Sequence, residues 1–283
     1  MYDSEPVPVR MLMPPVFWLL VFFVIPLGII LLYSIGYRDS YGGVAIGFTL
    51  NNYSAVIDPL YSGIILRSFL WALITTIVCV LVAYPMAYYA AFAPARMRAL
   101  VIFLVIVPFW TSFLVRLYSF TAILGTSGIV NNTLMSLGLA SEPLPLLHTP
   151  FSVILGFVYV NLPFMFLPLF SALDRIDTSL IEASMDLGAS RFRTFMRVSL
   201  PYSLSGIATG VVFVFIPTLG SFIVPDVLGG TGTLMLGNVI TSQFLTARNW
   251  PAGSALSMAL LFMVMVCVAA YIRYGRRGET GGM

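Results

Sequence analysis

The chain has 283 residues, 59% of them hydrophobic and only 9% charged, with a formal net charge of +3 and a mean hydropathy of +0.98. Soluble domains carry about 25% charged residues, so these figures exclude one and describe an integral membrane protein. The basic residues are fourteen arginines and no lysine, against eleven acids; that surplus reports orientation in a bilayer and not nucleic-acid binding.

Crossing about 30 Å of hydrocarbon takes about 20 apolar residues as helix. Six stretches reach that length, near Pro14 to Ile35, Leu66 to Phe92, Leu100 to Leu124, Phe151 to Leu173, Tyr202 to Val224 and Ser254 to Tyr274. They predict an all-α polytopic chain with one transmembrane domain over 1–283. The N-terminal MYDSEPVPVRMLMPP lacks the apolar core and cleavage site of a signal peptide, so the first span is expected to stay as an anchor. Pro163 and Pro168 are expected to interrupt the fourth span, and Gly206, Gly210, Pro217 and Gly220 the fifth. Such breaks are tolerated where freed carbonyls face protein or a water-filled cavity, which makes both helices candidates for lining a path; close packing through small residues is the alternative.

Arginine placement predicts topology. With the N-terminus cytoplasmic, Arg10, Arg96, Arg98, Arg175, Arg191, Arg193, Arg197, Arg273, Arg276 and Arg277 lie inside, leaving Arg38, Arg67, Arg116 and Arg248 on or near the outer side. Both termini are therefore expected inside. The outer segments, about 36–65, 125–150 and 225–253, are long for turns and rich in Gly, Asn, Pro and aromatic residues. Short re-entrant or interfacial helices are expected there.

Between the fourth and fifth spans lies a long polar segment, Asp174 to Pro201. Asp177, Thr178 and Ser179 offer N-cap side chains, with Glu182 three residues after Ser179, so a helix starts here. Gly188 permits a sharp turn, a second short helix follows through Arg191, Arg193 and Arg197, and Leu200-Pro201 closes the segment. This charged helical hairpin reads as a docking element for another protein or as an ordinary orientation loop.

Chemistry-bearing patterns are sparse. The sequence has no phosphate-binding loop, dinucleotide fingerprint or metal-ligand spacing, so neither a cofactor nor a metal is expected on this chain, and ATP, if used, must be bound by another subunit. Cys79 and Cys267 lie in apolar runs and read as packing residues. Gly229-Gly230-Thr231-Gly232 reads as a turn, and the single histidine, His148, as an interfacial residue. Arg116 lies inside the third span, where a charge is costly; it must face a partner or an aqueous cavity, or snorkel outward. Asp226 reads as a solvated cap or as negative charge at a pathway entrance. Trp110, Tyr159, Asn161, Thr218 and Ser221 supply aromatic and polar groups on the third to fifth helices, a lining that suits an amine ligand through cation–π contact and hydrogen bonds.

Glu182-Ala183-Ser184, then Gly188, then Val198-Ser199-Leu200-Pro201 resembles the EAA loop of ABC-importer permeases, with Ser184 for the second alanine and Val198 for isoleucine. Further blocks resemble the permeases of spermidine/putrescine importers: VPFWTSFLVRLYSF from Val107, the run from Leu162 to Leu169, Pro225 to Gly230, Leu236 to Ile240, and Arg248-Asn249-Trp250-Pro251. The resemblance implies the six-helix type I ABC importer arrangement and a heterodimer with a second permease subunit. It also implies an ATP-binding subunit dimer holding ATP and magnesium, an extracytoplasmic substrate-binding protein, and a bacterial inner-membrane location. By the same resemblance the loop carrying Glu182, Ala183, Ser184, Gly188, Arg191, Arg193, Leu200 and Pro201 couples to the ATPase. Putrescine-type relatives tend to carry glutamate where this chain has Ser221, so a related ligand such as an opine or organophosphonate stays open beside a polyamine. A self-sufficient secondary transporter or channel would call for buried carboxylates, and a membrane enzyme for a nucleophile–base pair or metal ligands; both rank lower.

Overall fold

The computed structural model describes residues 9–39, 43–45 and 47–280. Segment 1–8, read above for a signal peptide, and the side chains of Arg10, Arg276 and Arg277, counted in the arginine bias, lie outside what is described. Among the described residues the regular secondary structure is helical apart from a small antiparallel ribbon of β1 (Tyr37–Arg38) and β2 (Val44–Ala45). Six helical stretches among the described residues are long and apolar enough to cross a membrane: Met13–Ser34, Pro59–Phe92, Phe113–Ser136, Pro150–Leu173, Arg191–Gly220 and Trp250–Arg273.

Helices α1 (Val9–Leu19) and α2 (Ile25–Ser34) run together through a π turn at Leu20–Val24, and α3 (Asn51–Ile57) precedes the long α4 (Pro59–Phe92). The span expected over Leu100 to Leu124 is broken. Helix α5 (Ala95–Ile106) passes into a 3-10 turn at Val107–Trp110, and α6 (Phe113–Leu124) starts afresh. Both the amide and the hydroxyl of Thr111 close on the Pro108 carbonyl, at 3.3 and 2.7 Å, and the chain then extends through Thr111 and Ser112. The crossing-length stretch on this side continues into α7 (Ile129–Ser136).

Of the interruptions expected in the next two spans, only the one at Gly220 occurs. Helix α8 (Pro150–Leu173) runs through Pro163 and Pro168, and α11 (Leu200–Gly220) through Pro217. Proline removes one ladder bond without forcing a break where neighbouring helices hold the cylinder. Between them lie α9 (Thr178–Asp186) and α10 (Arg191–Thr194). Pro201 stands in the first turn of α11, as expected, but no break precedes it: α10 joins α11 through a π turn at Phe195–Ser199, in which the Leu200 amide reaches back to the Phe195 carbonyl. The fifth span ends at Gly220 rather than Val224, because Ser221 is extended and α12 (Ile223–Leu228) is separate. Helices α13 (Leu236–Leu245) and α14 (Trp250–Thr280) complete the chain. Each of the three long segments expected outside thus contains at least one short helix.

The chain divides into two compact units. In the unit of Met1–Ser62 with Val239–Met263, Asn52 donates to the carbonyls of Ser34 and Gly36, Arg38 donates to the Ala247 carbonyl at 2.7 Å, and Trp250 stacks edge-on with Tyr33 and Phe244. In the unit of Gly63–Asn238 with Val264–Met283, α8 and α11 form the most extensive helix pair. One core cluster sets Cys79, Ala83, Ala87 and Ala90 of α4 around Met165, Phe166, Leu169 and Leu173 of α8. Between helices already out of water, close van der Waals packing rather than the hydrophobic effect holds such a seam, and the alanines at helical spacing permit the approach. A second cluster joins Trp71, Leu117, Val153, Phe157, Val224 and Leu228.

Candidate functional site

The restart at Ser112 places Phe113 and Arg116 one turn apart on α6, so both face the same way. On α8, Phe157, Val160, Asn161 and Phe164 recur at i, i+3, i+4 and i+7 and form one stripe. These meet Pro217 and Thr218 of α11, with Ser221 and Val224 beyond its end, around a cavity of about 320 Å³ that Phe109 also lines. Phe109 is held edge-on by Phe164, with ring centroids 5.2 Å apart.

Three polar expectations converge here. Asn161 is buried and donates to the Phe157 carbonyl at 2.9 Å and to Thr218 Oγ1 at 3.3 Å; Thr218 in turn donates to the Val214 carbonyl at 2.6 Å. Ser221 lines the same space. The other three candidates are elsewhere. Trp110 is 82% exposed and does not line the cavity. Tyr159 lies about 100° around the α8 axis from Val160 and meets Phe120 edge-on at 5.1 Å. Asp226 is an exposed acceptor for Asn238 Nδ2, and Asn238 also donates to the Phe222 carbonyl and accepts from the Met235 amide. Asp226 therefore braces α12 against the start of α13.

Arg116 faces the cavity and does not snorkel. It is only 8% exposed, its Nε is buried with no hydrogen-bond partner, and its guanidinium carbon stands 5.0 Å from the centroid of the Phe109 ring. No carboxylate is among the lining residues. The phenylalanines of the cavity escape sequence reading, although the spacing of Phe157, Asn161 and Phe164 on one face was there to be found.

Outside this cavity, His148 adopts a positive φ of 60°, its amide donates to the Leu228 carbonyl at 3.0 Å, and its Nδ1 lies 2.8 Å from the Gly229 carbonyl. It ties the loop before α8 to the turn after α12. Thr231–Thr233 forms that turn as a 3-10 segment, closed by a 2.7 Å bond from the Gly230 amide to Thr233 Oγ1.

The polar hairpin is built as two capped helices. Asp177, and not Ser179, is the N-cap of α9: it accepts from the Ser179 amide at 2.9 Å, which holds its carboxyl below the ordinary carboxylate range. Three consecutive cap-competent residues made the position ambiguous, and no capping box to Glu182 forms among the bonds of this helix. Gly188, at φ +83°, ends α9 in a Schellman arrangement, with its own amide on the Met185 carbonyl and the Ala189 amide on the Ser184 carbonyl. Ser190 then caps α10, and Ser184 Oγ lies 3.0 Å from Thr194 Oγ1, buckling the two helices together. Glu182, Ala183, Arg191 and Arg193 are exposed, as are Pro201 and, less expected, Leu187 at 89% and Phe192 at 73%, while Leu200 is half-buried. A groove of about 370 Å³ runs past Leu180, Ala183, Ser184, Leu187 and Arg193. Arg98 ties the base of the hairpin down, pairing with Asp174 and donating to the carbonyls of Ala90 and Ala91 at the end of α4.

The family described as binding-protein-dependent transport system inner membrane component matches residues 80–275. The chain is 42% identical over 256 residues to the spermidine/putrescine transport system permease protein PotB of Haemophilus influenzae, covering 90% of each. It is 41% identical to the protein of that name from Escherichia coli, covering 92% of this chain and 94% of the relative. The inner membrane ABC transporter permease protein YdcU of Escherichia coli is 36% identical, over 80% of this chain and 76% of its own length. A solved bacterial ABC transporter involved in the import of the acidic polysaccharide alginate shares the fold, with a TM-score of 0.70 at 20% identity over 95% of this chain and 94% of that one.

Proposed function

This chain belongs to the family of binding-protein-dependent transport system inner membrane components, and from that premise we propose that it forms half of the membrane pathway of an ATP-driven polyamine importer. The observation that carries the substrate class is identity of 41–42% over about nine-tenths of the chain to permeases named for spermidine and putrescine. The cavity suits that reading: aromatic faces from Phe109, Phe113, Phe157 and Phe164 attract an ammonium, and Asn161, Thr218 and Ser221 add hydrogen-bonding groups. Trp110, Tyr159 and Asp226 do not enter the proposed seat.

The whole of 1–283 acts as one permease domain paired with a second permease subunit. The arginine bias sets both termini and the hairpin on the cytoplasmic side. There the hairpin docks on an ATPase dimer, which holds ATP and magnesium, through Arg191, Arg193 and the exposed Leu187 and Phe192. A substrate-binding protein delivers its ligand at the outer segments. Closure of the ATPase dimer pulls the hairpin, and the helices rock between inward and outward openings.

The test is uptake by proteoliposomes holding the chain with its partner permease, ATPase and binding protein, using labelled spermidine and putrescine with ATP on the ATPase side. ATP-dependent uptake of either supports the proposal. If neither moves while an opine stimulates hydrolysis, the polyamine assignment falls.

A further inference from the structure

Arg116 is an unusual occupant for a cavity proposed to pass polycations. The residue is more than nine-tenths buried, its Nε has no hydrogen-bond partner, no carboxylate lines the space, and its guanidinium lies over the face of Phe109. That face is what a substrate ammonium would seek. Two cations cannot share it without strong repulsion at such range.

We propose that Arg116 is a tethered competitor for the aromatic seat: a substrate ammonium reaches Phe109 only by displacing the guanidinium, and the returning guanidinium expels the ammonium. The inference rests on the polyamine reading above. It makes Arg116 a residue that sets how long substrate stays, in a pathway where tight binding would retain what must be released. Phe164, edge-on to Phe109, keeps the ring presented to whichever cation is there. Asn161 and Thr218, already bonded to each other and to backbone carbonyls, line the same cavity.

The experiment compares the assembled importer carrying the native chain with R116Q, R116K and R116Q/F109L. It measures labelled-spermidine binding without ATP and ATP-driven uptake in proteoliposomes. R116Q is expected to bind spermidine about tenfold more tightly, within the range of a desolvated cation–π contact, and to lower maximal uptake severalfold. R116K, which keeps a cation, should bind spermidine less tightly than R116Q and retain more of the uptake, and F109L should erase the gain made by R116Q. If R116Q does not assemble, R116M, which fills similar volume without a charge, makes the same comparison. Binding that is unchanged or weaker in the uncharged variants, with native uptake intact, overturns the proposal; a loss restored by R116K would assign Arg116 to an anionic group of the ligand instead. Absence of polyamine uptake by the native complex would remove the substrate reading and this inference with it.

Discussion

Replacing Gly206 by alanine tests the seam between α8 and α11. A Cβ there would stand 2.6 Å from the Cβ of Ala172, 2.7 Å from the Pro168 carbonyl oxygen and 3.2 Å from the Leu169 Cα, where ordinary contact is 3.4–4 Å. Neither of the first two atoms can rotate away, so the helices must part by a large fraction of an ångström. Overpacking of this kind costs about 1–3 kcal/mol, against a helix-propensity gain of about 0.8–1.0 kcal/mol for Gly→Ala. G206A should therefore lose about 1 kcal/mol net, up to about 2. At Gly210 the nearest atom is the Met165 sulfur at 2.5 Å, the end of a flexible side chain, with Met165 Cα at 3.4 Å. G210A should be close to neutral, and G63A, with nothing within 4 Å of the new methyl group, should be unchanged or slightly stabilised. Thermal unfolding of the three variants in detergent, followed by tryptophan fluorescence, gives the order. A G206A protein as stable as the native chain, or a G210A protein less stable than G206A, would refute the account of the seam.

In the hairpin, Gly188 has positive φ, yet a Cβ added to it would meet no atom within 4 Å, so the cost of substitution is conformational; G188N should preserve ATP-coupled uptake and G188V should uncouple hydrolysis from it, because asparagine tolerates the left-handed region and valine does not. The Asp177 carboxyl titrates below its ordinary 3.8 because it accepts the Ser179 amide. Its contribution to α9 is thus present above that value and lost as pH falls through the lowered one; protection of the Thr178 to Leu180 amides, measured against their intrinsic exchange rates, should fall below about pH 4 and already at neutral pH in D177A. For Arg98 and Asp174, both more than a third exposed, D174N should cost less than about 1 kcal/mol, while R98A, which also abandons the Ala90 and Ala91 carbonyls, should lower the melting temperature further.

The six spans and the helical class were legible because a run of apolar residues long enough to cross a bilayer has few alternative fates. Arg116 was legible for the same reason: a charge at that depth has to face something. The effect of each proline was not. Pro163, Pro168 and Pro217 sit in unbroken helices, whereas Pro108 lies at a break, and the difference depends on neighbours such as the Thr111 side chain that closes on its carbonyl. Of the predicted polar lining, Asn161, Thr218 and Ser221 met at one cavity because their helices cross there. Tyr159 was lost by a single residue of helical phase, and Trp110 by the turn that follows Pro108.

The helix that begins at Arg191 does not end until Gly220. From Arg193 in the hairpin to Thr218 at the cavity, one backbone rises roughly 38 Å at about 1.5 Å per residue. A shove on the hairpin has no loop in which to dissipate, so it travels as torque and axial thrust along a single shaft. Compliant points on that shaft include the five-residue π turn at Phe195–Ser199, with Pro201 just after it, and the missing ladder bond at Pro217 near the other end. Stiffening the π turn would change how far the shaft twists before the cavity wall moves, while every residue that lines the cavity stays in place.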